Sequence, residues 1–140
     1  MTIKQISLFL ENKPGQIHEI TKLLCENNIN LISINVAEAS EYGIFRLIAD
    51  NPEKAHDVLI QNKYITAITP VVAISVQNKV GSLNSLLEIF AKENINVEYM
   101  YSILGKYDGL AYIIFKVNDI EKLNKIISEY NFTSTDLGIE

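Results

Sequence analysis

Hydrophobic and polar residues alternate in two short stretches of the chain, residues 6–10 and 72–76. Alternation with a period of two is typical of β-strands. After each stretch the apolar residues follow the spacing of one buried helix face, first Ile17, Ile20 and Leu24 and later Leu83, Leu86, Leu87 and Phe90. The pattern therefore predicts a strand followed by a helix, twice. The helices should end at Asn27-Asn28 and at Asn94, because Asn tolerates the left-handed conformation that helix ends often use.

Further elements complete each half of the pattern. We expect strands near residues 30–38 and 43–50, and again near 96–104 and 109–117, joined by hairpin turns around Ser40-Glu41-Tyr42-Gly43 and Gly105-Lys106-Tyr107-Asp108-Gly109. A second helix should follow Asp50-Asn51-Pro52 and Asn118-Asp119, because these residues suit a helix N-terminus. A closing strand is expected near 64–69 and near 132–138. Each half then reads β-α-β-β-α-β.

The two halves also share residues at a constant distance. Gly15 and Gly81, Asn28 and Asn94, and Gly43 and Gly109 are each separated by 66 positions. After Asp50 the spacing becomes 68, which predicts a two-residue insertion near Val117. Solenoid repeats run to about 50 residues, so a longer period favours two tandem domains. We expect them at residues 1–69 and 70–140, with Pro70 at the seam.

This order of elements predicts a ferredoxin-like α+β sandwich in each half, with the first and third strands in the centre and both helices on one face. The third strands, near residues 44–49 and 110–115, are apolar on both sides. Such strands are normally buried on both faces. We therefore expect the helix-free face to pack against the other copy or another subunit, and the protein to form a homodimer.

Composition narrows the function classes. With 48% hydrophobic and 21% charged residues the chain is typical of a soluble globular protein, and no apolar run approaches the ~20 residues of a membrane span. A single cysteine, Cys25, excludes an internal disulfide and favours a cytoplasmic location. The net charge of −5 and the isolated lysines argue against a nucleic-acid partner.

Candidate chemistry is sparse. His18 and Cys25 lie seven residues apart on the first predicted helix, but Asn84 and Ala91 replace them in the second half. We interpret Cys25 as a small buried apolar residue. Metal-ligand spacing, a nucleophile signature, a phosphate loop and a dinucleotide fingerprint are all missing from the sequence. The sequence therefore favours a protein without catalysis and without a cofactor.

The turn between the first strand and the first helix is the most specific motif. It reads Glu11-Asn12-Lys13-Pro14-Gly15-Gln16-Ile17 and returns as Gln77-Asn78-Lys79-Val80-Gly81-Ser82-Leu83. Together with the topology, this turn resembles the ACT domain, a small-molecule-binding regulatory module attached to amino-acid biosynthetic enzymes or standing alone. The family often has Asp where Asn12 and Asn78 stand. The resemblance covers the whole chain and is to small proteins made of two ACT units.

The resemblance implies an amino-acid ligand at interfaces between ACT units, held by the turn and by the backbone that enters the second strand. Physically, Gly permits close approach of a ligand, and a helix N-terminus suits a carboxylate. The plainer interpretation is that the glycines only form the turn and that Asn12 and Asn78 only cap a helix. The implied binding residues are Asn12, Gly15, Gln16, Ile17, Asn30, Leu31 and Ile32 in the first half, and Asn78, Gly81, Ser82, Leu83, Asn96, Val97 and Glu98 in the second.

Three functions remain open at this point. The first is a regulatory protein that binds an amino acid and modulates a metabolic enzyme or regulator. The second is an interaction subunit that has lost its ligand and docks through its open sheet face. The third, an RNA-binding module of the same topology, requires exposed aromatic residues and a basic motif on the third strand, which residues 44–48 and 110–114 do not supply.

Overall fold

The computed structural model of the chain describes residues 1–37, 41–103 and 109–139. The hairpin turns predicted around Ser40 and Gly105 lie largely outside these ranges. The elements are β1 (Ile3–Glu11), α1 (Gln16–Glu26), β2 (Leu31–Ala37), β3 (Tyr42–Ala49), α2 (Pro52–Gln61), β4 (Thr66–Gln77), α3 (Ser82–Lys92), β5 (Val97–Ile103), β6 (Leu110–Val117), α4 (Ile120–Glu129) and β7 (Thr133–Thr135).

The chain divides into two compact units. The first unit comprises Lys4–Thr69 with Gly138 and Ile139, and the second comprises Pro70–Leu137 with Met1–Ile3. The short segments at the two chain ends thus belong to the unit opposite to the one that their position in the sequence suggests. The expected boundaries 1–69 and 70–140 differ from this division only at these ends.

Each unit has the sheet order of a ferredoxin-like fold. In the first unit β3 pairs antiparallel with both β2 and β1, and β4 lies on the other side of β1. In the second unit β6 pairs antiparallel with β5 and β4, and β7 pairs with β4. Residues of both helices join the central strands in one core per unit. The predicted α+β sandwich is confirmed, and none of the described helices is long and apolar enough to span a membrane.

The junction between the two halves differs from the prediction. The expected closing strand at 64–69 and the opening strand at 72–76 are one continuous strand, β4, of 12 residues. Pro70 lies within it at an exposed position, where a residue without an N–H group is tolerated. The second closing strand, β7, has only three residues instead of the expected span 132–138, because the chain turns at Leu137, whose φ is 60°.

The buried face of α1 also corrects the sequence interpretation. Gln16, Ile20 and Leu24 are its buried residues, whereas Ile17 is 42% exposed. Cys25, which we expected to be buried, is exposed because it lies next to Leu24 rather than on its face. The buried face of α1 therefore begins at Gln16 rather than at Ile17. Ile17 lies at the surface beside the turn.

The helix ends follow the capping rules that the sequence indicated. Asn51 and Asp119 are the N-caps of α2 and α4, and their side chains accept hydrogen bonds from the third amide beyond them, at 3.1 and 3.0 Å. The four helices within the described ranges all end at a left-handed residue other than glycine, namely Asn28, Lys63, Asn94 and Asn131. The predicted ends near Asn28 and Asn94 are confirmed, since Asn tolerates this conformation.

Strand pairing places the two-residue insertion elsewhere than expected. Leu10 lies opposite Gly43 in the first unit, and Val76 lies opposite Ala111 in the second. The spacing from Leu10 to Val76 is 66, whereas that from Gly43 to Ala111 is already 68. The extra residues therefore fall between β5 and β6, and the prediction near Val117 was wrong. Hairpin turns accept insertions more readily than paired strands do.

Candidate functional site

The turn between β1 and α1 is built on a left-handed glycine. Gly15 is the N-cap of α1 with φ 84°, and Gly81 is the N-cap of α3 with φ 90°. Glycine alone adopts such angles without steric cost. Neither helix receives a side-chain cap, so the interpretation of Asn12 and Asn78 as helix caps was wrong. Their backbone amides instead bind carbonyl oxygens of the residues that precede β3 and β6, at 3.2 and 2.8 Å.

The start of α1 offers unpaired donors. The amide of Glu19 donates to the Gly15 carbonyl at 2.9 Å. The amides of Ile17 and His18 have no acceptor among the residues that the structure describes. Unpaired amides and the partial positive charge of a helix N-terminus together favour an anionic group at this position.

A pocket of about 200 Å³ lies beside this turn, entirely within the first unit. It is bounded by the end of β1, the start of α1, the end of β2 and the start of β3. Gly43 contributes no side chain here, and an added Cβ would approach the Ala37 carbonyl oxygen to 3.3 Å. The glycine at this position thus leaves space that a larger residue would fill. The lining residues are Leu10, Glu11, Asn12, Lys13, Gln16, Ile17, Val36, Ala37 and Gly43.

Two of the lining residues carry opposite charges and pair with each other. The Lys13 ammonium lies 2.9 Å from the Glu11 carboxylate. This hydrogen bond, followed by the attraction between the two charges, raises the pKa of Lys13. Because both side chains are exposed, the pair adds little to stability. Its local effect is to cancel the charge of the pocket wall.

The structure brings some of the predicted binding residues together. Asn12, Gln16 and Ile17 line the pocket, and Gly15 begins the helix that forms one of its walls. Gln16 is almost fully buried. Ligand binding by these residues stays a prediction.

Other predicted residues of the first unit lie apart from the pocket. Asn30, Leu31 and Ile32 are at the start of β2, whereas the pocket touches its last residues. The Asn30 amide donates to the Asp50 carboxylate at 3.1 Å, and the Asp50 amide donates back to the Asn30 carbonyl at 3.0 Å. Within the first unit this backbone therefore serves to join β2 to the end of β3.

The predicted residues of the second unit are arranged in the same way. Asn78, Gly81, Ser82 and Leu83 surround the turn before α3, and Asn96, Val97 and Glu98 stand at the start of β5. The Asn96 amide donates to the Asn118 side chain at 2.9 Å. The Glu98 carboxylate accepts from Lys116 at 2.8 Å. The two sets of the second unit are thus at opposite ends of β5 and do not meet within that unit.

Several lining residues escaped the sequence analysis, namely Leu10, Val36, Ala37 and Gly43. The strand order contained the necessary information. β1 and β2 both run antiparallel to β3, so their final residues meet at one edge of the sheet, beside the first residues of β3. At the corresponding positions of the second unit stand Val76, Ser102, Ile103 and Ala111.

A second cavity, of about 240 Å³, is polar and lies between α1 and the end of α2. The Tyr64 hydroxyl donates to the Glu19 carboxylate there at 2.7 Å. Burial, assisted by this hydrogen bond, raises the pKa of Tyr64 to about 12. No three His, Cys, Asp or Glu residues within the described ranges are placed to hold a metal ion. The first cavity is therefore the better candidate for a small-molecule site.

Comparisons with solved structures agree with the fold. The chain is 35% identical to a protein from Bacteroides thetaiotaomicron, with a TM-score of 0.93 over 99% of this chain and 96% of that one. It is 16% identical to the regulatory subunit of aspartate kinase from Thermus thermophilus, with a TM-score of 0.60 over 81% of this chain and 83% of that one. The corresponding subunit from Thermus flavus is 14% identical, with a TM-score of 0.56 over 80% of each chain.

A search of curated proteins found no match. A family model described as the ACT domain pair matches residues 1–136, which is nearly the whole chain. The repeated topology and the glycine turns at the starts of α1 and α3 agree with that match. The chain therefore belongs to the ACT domain pair family.

Proposed function

We propose that this chain is a non-catalytic regulatory protein. Its ligand is a small molecule of the amino-acid class, and binding of this ligand modulates a metabolic enzyme or regulator. The pocket beside the glycine turn of the first unit carries the proposal. Membership of the ACT domain pair family supports it.

The volume of the pocket and its hydrogen-bond donors suit a ligand of the size of an amino acid. Its volume of about 200 Å³ is below the roughly 300–1,000 Å³ of pockets that hold drug-sized molecules. The unpaired amides of Ile17 and His18 stand at the adjacent helix N-terminus, where a carboxylate is favoured. Asn12 and Gln16 add neutral groups that both donate and accept hydrogen bonds.

A regulatory role is supported by the roles of proteins that have a similar fold. Two structures of similar fold are regulatory subunits of aspartate kinase. A bound ligand regulates only if it prefers one arrangement of the protein over another. A 100-fold preference corresponds to about 2.7 kcal/mol, which is enough to move an equilibrium between two comparable states.

Isothermal titration calorimetry of the full chain against each of the twenty amino acids tests the proposal. We expect at least one to bind with a Kd below the millimolar range, and we expect Gly43→Val to weaken that binding at least tenfold by filling the pocket. Ala111→Val, at the corresponding position of the second unit, is the matched control. Circular dichroism checks that both variants keep the fold. Failure of every amino acid to bind the unmodified chain at millimolar concentration would contradict the proposal.

A second candidate function is supported by an apolar surface on the first unit. Phe9, Tyr42 and Ile65 are 59%, 58% and 72% exposed. The Phe9 amide donates to the Ile65 carbonyl at 3.4 Å, and Tyr42 is paired with Glu11 two residues along β1. Ser75 and Thr133 replace Phe9 and Ile65 in the second unit. This exposed apolar surface of the first unit favours docking of a second copy or of another protein.

A further inference from the structure

Part of the wall of the pocket beside the β1–α1 turn is aliphatic. Four of its lining residues, Leu10, Ile17, Val36 and Ala37, carry aliphatic side chains. Ile17 is 42% exposed and Val36 is 47% exposed. Leu10 is buried beneath them. A ligand with an apolar side chain would remove Ile17 and Val36 from water, which is the favourable direction of the hydrophobic effect.

The described lining residues leave no unbalanced charge for the side chain of a ligand. Among them only Glu11 and Lys13 are charged, and they neutralise each other across 2.9 Å. The other polar side chains, Asn12 and Gln16, are uncharged. A charged ligand side chain would have to lose its hydration without gaining an unpaired counter-charge, which is unfavourable.

We infer that the first-unit pocket selects amino acids with an uncharged aliphatic side chain, such as valine, leucine and isoleucine, over those with a charged one. This inference rests on the proposed function and adds the chemical class of the ligand. The aliphatic side chain contacts Ile17 and Val36, while the ligand's own charged groups remain at the polar rim of the pocket.

The second unit shows how the same fold appears without this selectivity. Ser102 stands where Val36 lies in the first unit, and Gln77 stands in place of Glu11. Ala111 occupies the position of Gly43. The corresponding turn thus has a hydroxyl in place of the Val36 side chain, an isoleucine, Ile103, in place of Ala37, no carboxylate in the position of Glu11 and one additional methyl group. The inferred selectivity is accordingly a property of the first unit.

The inference predicts a graded series of affinities. Each additional methylene that is buried contributes about 0.8 kcal/mol, which corresponds to about a fourfold change in Kd. Affinity should therefore rise from alanine to valine and then to leucine or isoleucine. Aspartate and lysine should bind at least tenfold more weakly than leucine.

The test is calorimetric titration of the full chain with glycine, alanine, valine, leucine, isoleucine, aspartate and lysine, followed by titration of two variants. Val36→Ser gives the first unit the residue of the second, and we expect it to weaken leucine binding about fivefold while changing alanine binding less than twofold. Ser102→Ala is the matched control and should leave both affinities unchanged. Val36 is half-exposed, so this substitution does not disturb the core.

The possible failures are distinguishable. Tighter binding of aspartate or lysine than of leucine, or an equal loss of leucine and alanine affinity in Val36→Ser, would overturn the inferred selectivity while the proposed amino-acid binding stands. Absence of binding by all the amino acids would overturn both.

Discussion

The Tyr64 hydroxyl donates a hydrogen bond of 2.7 Å to the Glu19 carboxylate and so joins the third residue after α2 to the first turn of α1. The two side chains are 45 positions apart in the sequence. Burial of Tyr64 and this bond both favour the protonated phenol, which is why its pKa rises from 10.0 to about 12.

A first prediction concerns alkaline pH. The pKa of Tyr64 is higher in the folded than in the unfolded chain, so its contribution to stability is complete below pH 10 and disappears as the pH rises towards 12. Ultraviolet titration of the seven tyrosines should show a late component that contains Tyr64 and also Tyr130, whose hydroxyl donates to Glu93 at 2.8 Å and whose pKa is raised chiefly by this bond. Glu19→Gln should lower the pKa of Tyr64, and Tyr64→Phe should reduce the late component by one tyrosine. An undiminished late component in Tyr64→Phe would contradict the assignment to Tyr64.

A second prediction concerns the end of α2. Lys63 adopts φ 67°, whereas the other three helices have Asn at the equivalent position. Because a lysine pays a larger steric cost in the left-handed region, Lys63→Asn should raise the free energy of unfolding by about 0.5–1 kcal/mol. The reverse exchange at α4, Asn131→Lys, should lower it by a similar amount. Urea denaturation measures both, and equal stability of all three proteins would be inconsistent with this account.

A third prediction concerns the N-caps of α2 and α4. Asn51→Ala and Asp119→Ala each remove an acceptor for an amide at the helix start, so each should reduce the free energy of unfolding by about 1 kcal/mol. Asn51→Ser and Asp119→Ser keep an acceptor and serve as controls that should lose much less. Thermal denaturation followed by circular dichroism provides the comparison.

A fourth prediction concerns the apolar surface formed by Phe9, Tyr42 and Ile65. If the protein forms a homodimer through it, the double variant Phe9→Ser with Ile65→Thr should weaken self-association at least tenfold, because it gives the first unit the polar residues of the second. Sedimentation velocity over a range of concentrations measures this effect.

The control for this fourth prediction is Ser75→Ala, which alters the corresponding position of the second unit and should leave self-association unchanged. An unmodified protein that stays monomeric at every concentration would argue against the homodimer. In that case the apolar surface would serve to bind another protein.

The sequence predicted the fold well because the information is local. Alternating apolar residues identified the strands, and the capping residues Asn51 and Asp119 marked two helix starts. Left-handed asparagines at residues 28 and 94 marked helix ends. With these elements in order, few topologies satisfy the rules for connections between strands.

The details that the sequence analysis missed depend on pairing between distant residues. Gly43 and Gly109 are both glycine and lie 66 positions apart, which suggested that they are equivalent. Strand pairing shows that they are not, because Gly43 pairs with Leu10 whereas Ala111 pairs with Val76. The turn of α1 likewise exposes Ile17 and buries Gln16, which apolar periodicity alone cannot reveal. The pocket was only partly predicted, since its far wall comes from β2 and β3.

The longer hairpin of the second unit determines where the two halves of the gene can be exchanged. Residues 12–37 and 78–103 are segments of equal length, so swapping them would leave the ladder of each unit in place. A crossover at the matching letters Gly43 and Gly109 would instead carry two surplus residues into the third strand. Every later residue of that strand would then face the wrong partner on β1, so recombination between the halves is tolerated only at junctions that respect the strand ladder.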